Sequence, residues 1–155
     1  MVTRDMAHFA PNRCHTFSTL SYAGVVPKTE EFMTTQEVAD ELVKLCREGK
    51  FHEAVESLYA DNIVSMEAGA PPGQSRESRG LAAVKAKGEW WQANHEVHAA
   101  TVEGALVAGS HFTATFKMDV TFKPQNRRFQ MDEVAVYKVQ DGKVVYEEFF
   151  YAMGS

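Results

Sequence analysis

From residue 111 onward the chain alternates. Phe112, Ala114, Phe116, Met118, Val120 and Phe122 interleave with His111, Thr113, Thr115, Lys117, Asp119 and Thr121, the two-residue period of a half-buried strand. A second strand is expected over about 129–139. Asp141-Gly142 then marks a tight hairpin turn into a third, over 144–151. The period-two region opens near Glu96, and before it the period is helical. Thr34-Thr35-Gln36-Glu37 has the Thr-x-x-Glu spacing of a capping box, and Val38, Leu42, Leu45 and Cys46 follow at helical spacing until Gly49. Phe51, Ala54, Val55, Leu58 and Tyr59 share one face of a second, short helix; Leu81, Val84, Gly88, Trp91 and His95 form the stripe of a third. Between these helices Asn62 to Glu67 reads as a strand, and 68–80, containing Pro71-Pro72-Gly73, as a loop. Three leading helices and a long antiparallel sheet predict an α+β fold.

The hairpin turn also predicts a register. With Gln140 paired to Lys143, Val139 faces Val144, Tyr137 faces Tyr146, Ala135 faces Glu148 and Glu133 faces Phe150, all on one side of the sheet. Val134, Val136, Val145, Phe149 and Tyr151 then fall on the other side with Asp132 and Glu147. A one-residue bulge exchanges the faces and puts Asp132 and Glu147 in place of Glu133 and Glu148. Both sides are largely apolar, so the hairpin is expected to be covered twice, by the helices and by a second subunit. The side bearing Met131, Glu133, Ala135 and Tyr137 mixes small, aromatic and flexible side chains with acids, as the wall of a ligand pocket does.

Composition narrows the setting. The 155 residues suit one domain, with 45% hydrophobic and 24% charged residues and a net charge of −5. No Lys/Arg block stands out, so neither nucleic acid nor an anionic membrane surface is an expected partner. Cys14 and Cys46 make no disulfide framework and no metal-type spacing, and a reducing cytoplasm is the expected location. Residues 1–32 hold no apolar run long enough for a signal peptide or membrane span, and no clean period. They are read as an arm or extension ahead of a compact domain over 33–155.

From about Met33 to Tyr151 the chain resembles the SnoaL-like branch of the nuclear transport factor 2-like superfamily, relatives of ketosteroid isomerases and polyketide cyclases. The helix-Gly49-helix unit, YADNIVSMEA at 59–68, the following loop, the Trp90-Trp91 helix and MDEVAVYKVQDGKVVYEEFFY at 131–151 carry the resemblance. It implies a cone: a curved, mainly antiparallel sheet around three helices, enclosing a hydrophobic pocket and often dimeric through the sheet. It also implies that Glu67 stands where isomerases carry the carboxylate that moves the substrate proton. Two further groups of that machinery are absent: Ala135 stands at the buried-acid position, and the oxyanion tyrosine aligns near Leu42. Glu133, two residues away on the same face, can substitute for the acid.

An acid beside apolar walls takes up a proton more readily than one in water. The candidate catalytic groups are therefore Glu67 as base, Glu133 as partner acid or hydrogen-bond donor, and His95 as a third polar group. Trp91, Tyr137, Tyr146, Glu148, Phe116 and Met131 are the candidate pocket lining. Each has a simpler reading: Glu67 as a solvated strand-end acid, Glu133 as an outward salt-bridge partner, Trp91 as plain core. His95 and His98 lack a third ligand in register, so no metal is expected. No Gly-rich phosphate loop or activated nucleophile stands out, and no cofactor is expected. The functional reading is cofactor-independent proton transfer (isomerisation, cyclisation or dehydration) on a small hydrophobic, carbonyl-bearing molecule. Its alternative is a ligand-binding or dimerisation module without turnover.

Overall fold

The computed structural model describes residues 32–70 and 72–152. The arm expected over 1–32 lies outside them except for Phe32. Helix α1, Thr35–Arg47, opens on the capping box: Thr34 Oγ1 accepts the Glu37 N–H at 3.2 Å, and the Glu37 carboxylate accepts the Thr34 N–H at 2.7 Å. Gly49 follows the helix with φ +73°, where a β-carbon would be strained. Val38, Ala39, Leu42, Val43, Leu45 and Cys46 are all buried. Removing such apolar side chains from water is worth roughly 1.5–3 kcal/mol for each of the larger ones. Helix α2, Phe51–Leu58, runs straight into strand β1, Tyr59–Met66, so the strand begins three residues before the expected Asn62. A three-residue strand β2, Glu77–Arg79, lies inside the expected loop and pairs with β1.

Helix α3, Leu81–Asn94, is followed by β3, His95–Ala108, and β4, His111–Phe122. A 3-10 turn at Lys123–Gln125 leads to β5, Arg127–Gln140, and β6, Lys143–Tyr151. The six strands form one curved, mixed sheet in the order β2-β1-β6-β5-β4-β3, parallel only at β1–β6. Among the described residues it does not close, and β2 and β3 are its two edges. The helices pack on one face, α1 over β3 to β5 and α3 against β1 and β2. The core there includes Leu42, Ile63, Val84, Phe112, Phe116, Val120, Ala135, Tyr137 and Val144.

The last hairpin corrects the expected register. Gln140↔Lys143 and Val139↔Val144 pair as read from the turn, but the next pair is Lys138↔Tyr146. Val145 is therefore the extra residue of a bulge on β6, and beyond it Tyr137 faces Glu147, Ala135 faces Phe149 and Glu133 faces Tyr151. Because the bulge lies on β6 alone, β5 keeps Met131, Glu133, Ala135 and Tyr137 inward. Strand β6 turns over: Glu147, Phe149 and Tyr151 point inward, Tyr146 and Glu148 outward. Neither expected face survives intact, and the inward pair is Glu133 with Glu147.

Candidate functional site

The inner face collects its polar groups at one place. Alternation along β1 puts Ile63, Ser65 and Glu67 on the same side, and the parallel pairing sets Ser65 beside Glu147. Glu147 is 2% exposed, yet its carboxylate is fully engaged. Tyr59 donates to Oε2 at 2.6 Å, Ser65 donates to Oε1 at 2.6 Å, and the Lys87 ammonium lies 3.5 Å from Oε1. Burial and the neighbouring Glu147 charge together hold the Tyr59 hydroxyl well above the ordinary tyrosine range.

Lys87 comes from α3. It donates to Ser65 Oγ and to Glu67 Oε1, each at 2.6 Å, and its ammonium stands 4.7 Å from the centre of the Phe149 ring. Glu67, the first residue past β1, also accepts from the Tyr151 hydroxyl at 3.0 Å. Tyr151 is the cross-strand partner of Glu133. Glu133 has no hydrogen-bond or ion-pair partner among the described residues. Burial first, and then the charge of Glu67, push it up from an ordinary 4.5 to about 8; Lys87 opposes that rise and Glu147 adds to it. Cys46, on the facing side of α1, is pushed up to about 12 by burial and then by Glu147 and Glu133.

The candidate residues divide accordingly. Glu67 and Glu133 share one face, linked through Tyr151, which donates to the first and pairs across the strands with the second, and Phe116 faces Glu133 across β4–β5. Met131 lies on the same face, and Tyr137 is buried deeper, its ring stacked on Phe112 at 4.6 Å. Trp91 is half-buried one helical turn beyond Lys87. His95 is elsewhere. It pairs with Phe122 at the far end of β4, six residues from the partner of Glu133, or roughly 20 Å along the strand. There it stacks on Trp91 at 4.7 Å, with Nδ1 2.9 Å from the Trp91 carbonyl oxygen, so it caps a helix and does not join the acids. Tyr146 and Glu148 face outward and bond each other at 2.8 Å, a consequence of the bulge.

Lys87, Ser65, Tyr59 and Tyr151 were not among the residues expected at the site, and Glu147 was expected inward only as the bulged alternative to Glu148. Lys87 had a readable signal: it lies three residues after Val84 and four before Trp91, on the inward stripe. Ser65 likewise follows from alternation with Ile63 and Glu67. Glu147 and Tyr151 needed the bulge. Among the described residues no group of three or more His, Cys, Asp or Glu side chains is arranged to hold a metal ion.

Chemically, the arrangement is an ammonium shared by two carboxylates beside a third carboxyl that has no partner. Three helices packed on one face of a curved mixed sheet, with acids on that face, define the class, and the sequence matches the model of the SnoaL-like domain over residues 33–151. The chain belongs to the SnoaL-like family. A structure from Mesorhizobium loti, provisionally named a SnoaL-like polyketide cyclase with carbohydrate phosphatase in brackets, is 43% identical. It covers 77% of this chain and 100% of its own, with a TM-score of 0.73. A Bacillus subtilis protein provisionally named an isomerase shares the fold at 18% identity, covering 77% and 90%, with a TM-score of 0.65. So does a nuclear transport factor 2-like protein of Burkholderia xenovorans, at 18% identity, covering 76% and 88%, with a TM-score of 0.63. No curated protein matches the chain significantly.

Proposed function

We propose that the concave face binds a small hydrophobic molecule bearing a carbonyl group and moves a proton on it without a cofactor, as in isomerisation, cyclisation or dehydration. The observation that carries this reading is the pairing of unlike acids on one wall. Glu67 is paired with the Lys87 ammonium and accepts hydrogen bonds on both oxygens, whereas Glu133 is unpaired and burial pushes it up to about 8. Glu133 donates to the substrate carbonyl oxygen, which steadies the charge that develops there. A spare lone pair of Glu67 takes the proton from the adjacent carbon. Phe116, Met131 and Phe149 supply the apolar wall, and Tyr151 keeps the two acids apart. The polyketide-cyclase and isomerase names of the relatives support the same class of chemistry. The outer face of the sheet, with Val134 opposite Phe150, is assigned to a second copy of the chain. The free, buried Cys46 fits a reducing cytoplasm. No helix among the described residues is long and apolar enough to cross a membrane.

The test is exchange of α-hydrogens. A decalone, used as a hydrophobic ketone in D2O, is expected to gain deuterium faster with the wild-type protein than in buffer. Glu67→Gln, which keeps the shape and removes the acceptor, is expected to return the rate to that of buffer. The Lys87–Glu67 ion pair also supports the alternative of binding without turnover, since a satisfied acid serves as structure. Saturable binding with no exchange would select that alternative.

A further inference from the structure

The inner face has two acids that could exchange roles, and something must keep them different. We propose that Lys87, held from behind by Ser65 and Glu147, is the positioning residue that makes Glu67 the proton acceptor and leaves Glu133 the proton donor. This rests on the proton-transfer reading above and adds what sets its polarity.

The donor count supports it. An ammonium has three N–H groups, and Lys87 directs them at Ser65 Oγ (2.6 Å), Glu67 Oε1 (2.6 Å) and Glu147 Oε1 (3.5 Å). Ser65 accepts from Lys87 and donates its own O–H to Glu147 Oε1, while Tyr59 donates to Glu147 Oε2. Each oxygen of the Glu67 and Glu147 carboxylates is met by at least one donor, so both groups are engaged. One ammonium thus bonds two carboxylates; the nearby Arg76 guanidinium donates at 2.7 Å to the Glu67 backbone carbonyl and not to a carboxylate, so a third charge has no direct partner. Glu133 is that third group. The titratable groups facing it are Cys46 from α1, Glu67 from β1, Lys87 from α3, Tyr137 on its own strand, and Glu147 and Tyr151 from β6. Lys87 is the one cation in that set. It bonds Glu67 directly and reaches Glu133 only through space, which is the asymmetry that separates the two acids.

Backing by a buried carboxylate also fixes where Lys87 points. Glu147 is anchored on three sides, so the ammonium cannot swing to Glu133 without leaving two bonds behind. The site therefore keeps its direction whether or not a ligand is present.

The direct test needs no substrate. Full-length protein labelled with carbon-13 at the glutamate carboxyl groups is titrated by NMR as wild type, Lys87→Met and Lys87→Arg. In the wild type the Glu133 signal is expected to titrate at higher pH than that of Glu67. In Lys87→Met, with the shared cation gone, the gap is expected to close and the two curves to become coupled. Lys87→Arg is expected to keep them apart. Unchanged curves in a folded Lys87→Met protein would overturn the proposal. Ser65→Ala, which loosens Lys87 without removing its charge, is a milder second variant should Lys87→Met fail to fold. It is expected to narrow the gap partially, and an unaltered gap counts against the proposal. Failure of deuterium exchange with a Lys87-dependent gap sinks only the catalytic reading. Exchange with no such gap sinks only this one.

Discussion

Lys87 and Glu67 meet at 2.6 Å with about a quarter of each side chain exposed, 26% and 27%. That exposure places the pair between two regimes. Surface ion pairs are worth roughly 0–1 kcal/mol, while stripping one partner from a fully buried pair costs roughly 3–5 kcal/mol. The pair is open enough for a ligand to approach and enclosed enough for its charges to matter. Its stability also depends on Glu147 behind it, which is where the larger energetic consequence lies.

Removing Glu147 strands three donors at once. Glu147→Ala leaves the buried Tyr59 hydroxyl, Ser65 and one side of Lys87 without their acceptor, and it opens a cavity. The expected loss is about 3–5 kcal/mol in urea denaturation, larger than for Glu148→Ala on the outer face, expected within about 0.5 kcal/mol or slightly above. Equal losses from the two variants would mean that the network contributes little.

Glu133 makes stability depend on pH with a definite sign. Its folded-state value, about 8, lies above the ordinary 4.5, so between those values the folded protein binds more protons than the unfolded chain. Stability contributed by this group is fully present below about 4.5, declines as pH rises, and is gone above about 8. The whole effect is on the order of a few kcal/mol, reduced by partial exposure to solvent. Glu133→Gln is expected to flatten this stretch of the stability–pH curve and to be the more stable protein at pH near 9. A wild-type curve that rises over the same range would contradict the raised value.

The outer face carries a test of assembly. Val134 and Phe150 are direct cross-strand partners, 42% and 48% exposed, and Val136 lies beside them. A homodimer through this face is expected to bury more than about 1,000 Å² in total. Sedimentation at micromolar concentration should then show a dimer that Val136→Glu dissociates, because the new carboxylate would be buried without a partner. A wild-type monomer under those conditions would remove the expectation.

The two tryptophans should report differently. Trp91 packs against the core and stacks on His95, whereas Trp90 is 57% exposed. A decalone that enters beside Lys87 is expected to change the emission saturably, with the change lost in Trp91→Phe and kept in Trp90→Phe. The same change from both variants would place the ligand away from this wall.

Much of the fold was legible because it is written in local periods. The capping box at Thr34–Glu37, the helical spacing of Val38 to Cys46, the alternation of Phe112 to Phe122 and the Asp141-Gly142 turn each depend on neighbours in the chain, and each marks its element. The inward direction of Glu133 follows from the same alternation. The Val145 bulge is different. Val144 and Val145 are equally suited to either face, so no local preference chooses between an even ladder and a shifted one. The choice lies in what the shift brings together. Turning β6 over lets Glu147 meet Tyr59, Ser65 and Lys87, three donors from β1 and α3 that lie 60 or more residues away in the chain. A buried carboxylate is tolerated only with such partners, and their convergence is a property of the packed molecule. Sequence by itself therefore determined the elements and their apolar faces. Tertiary structure decided which acid is satisfied, which is left with its proton, and that Lys87 stands between them.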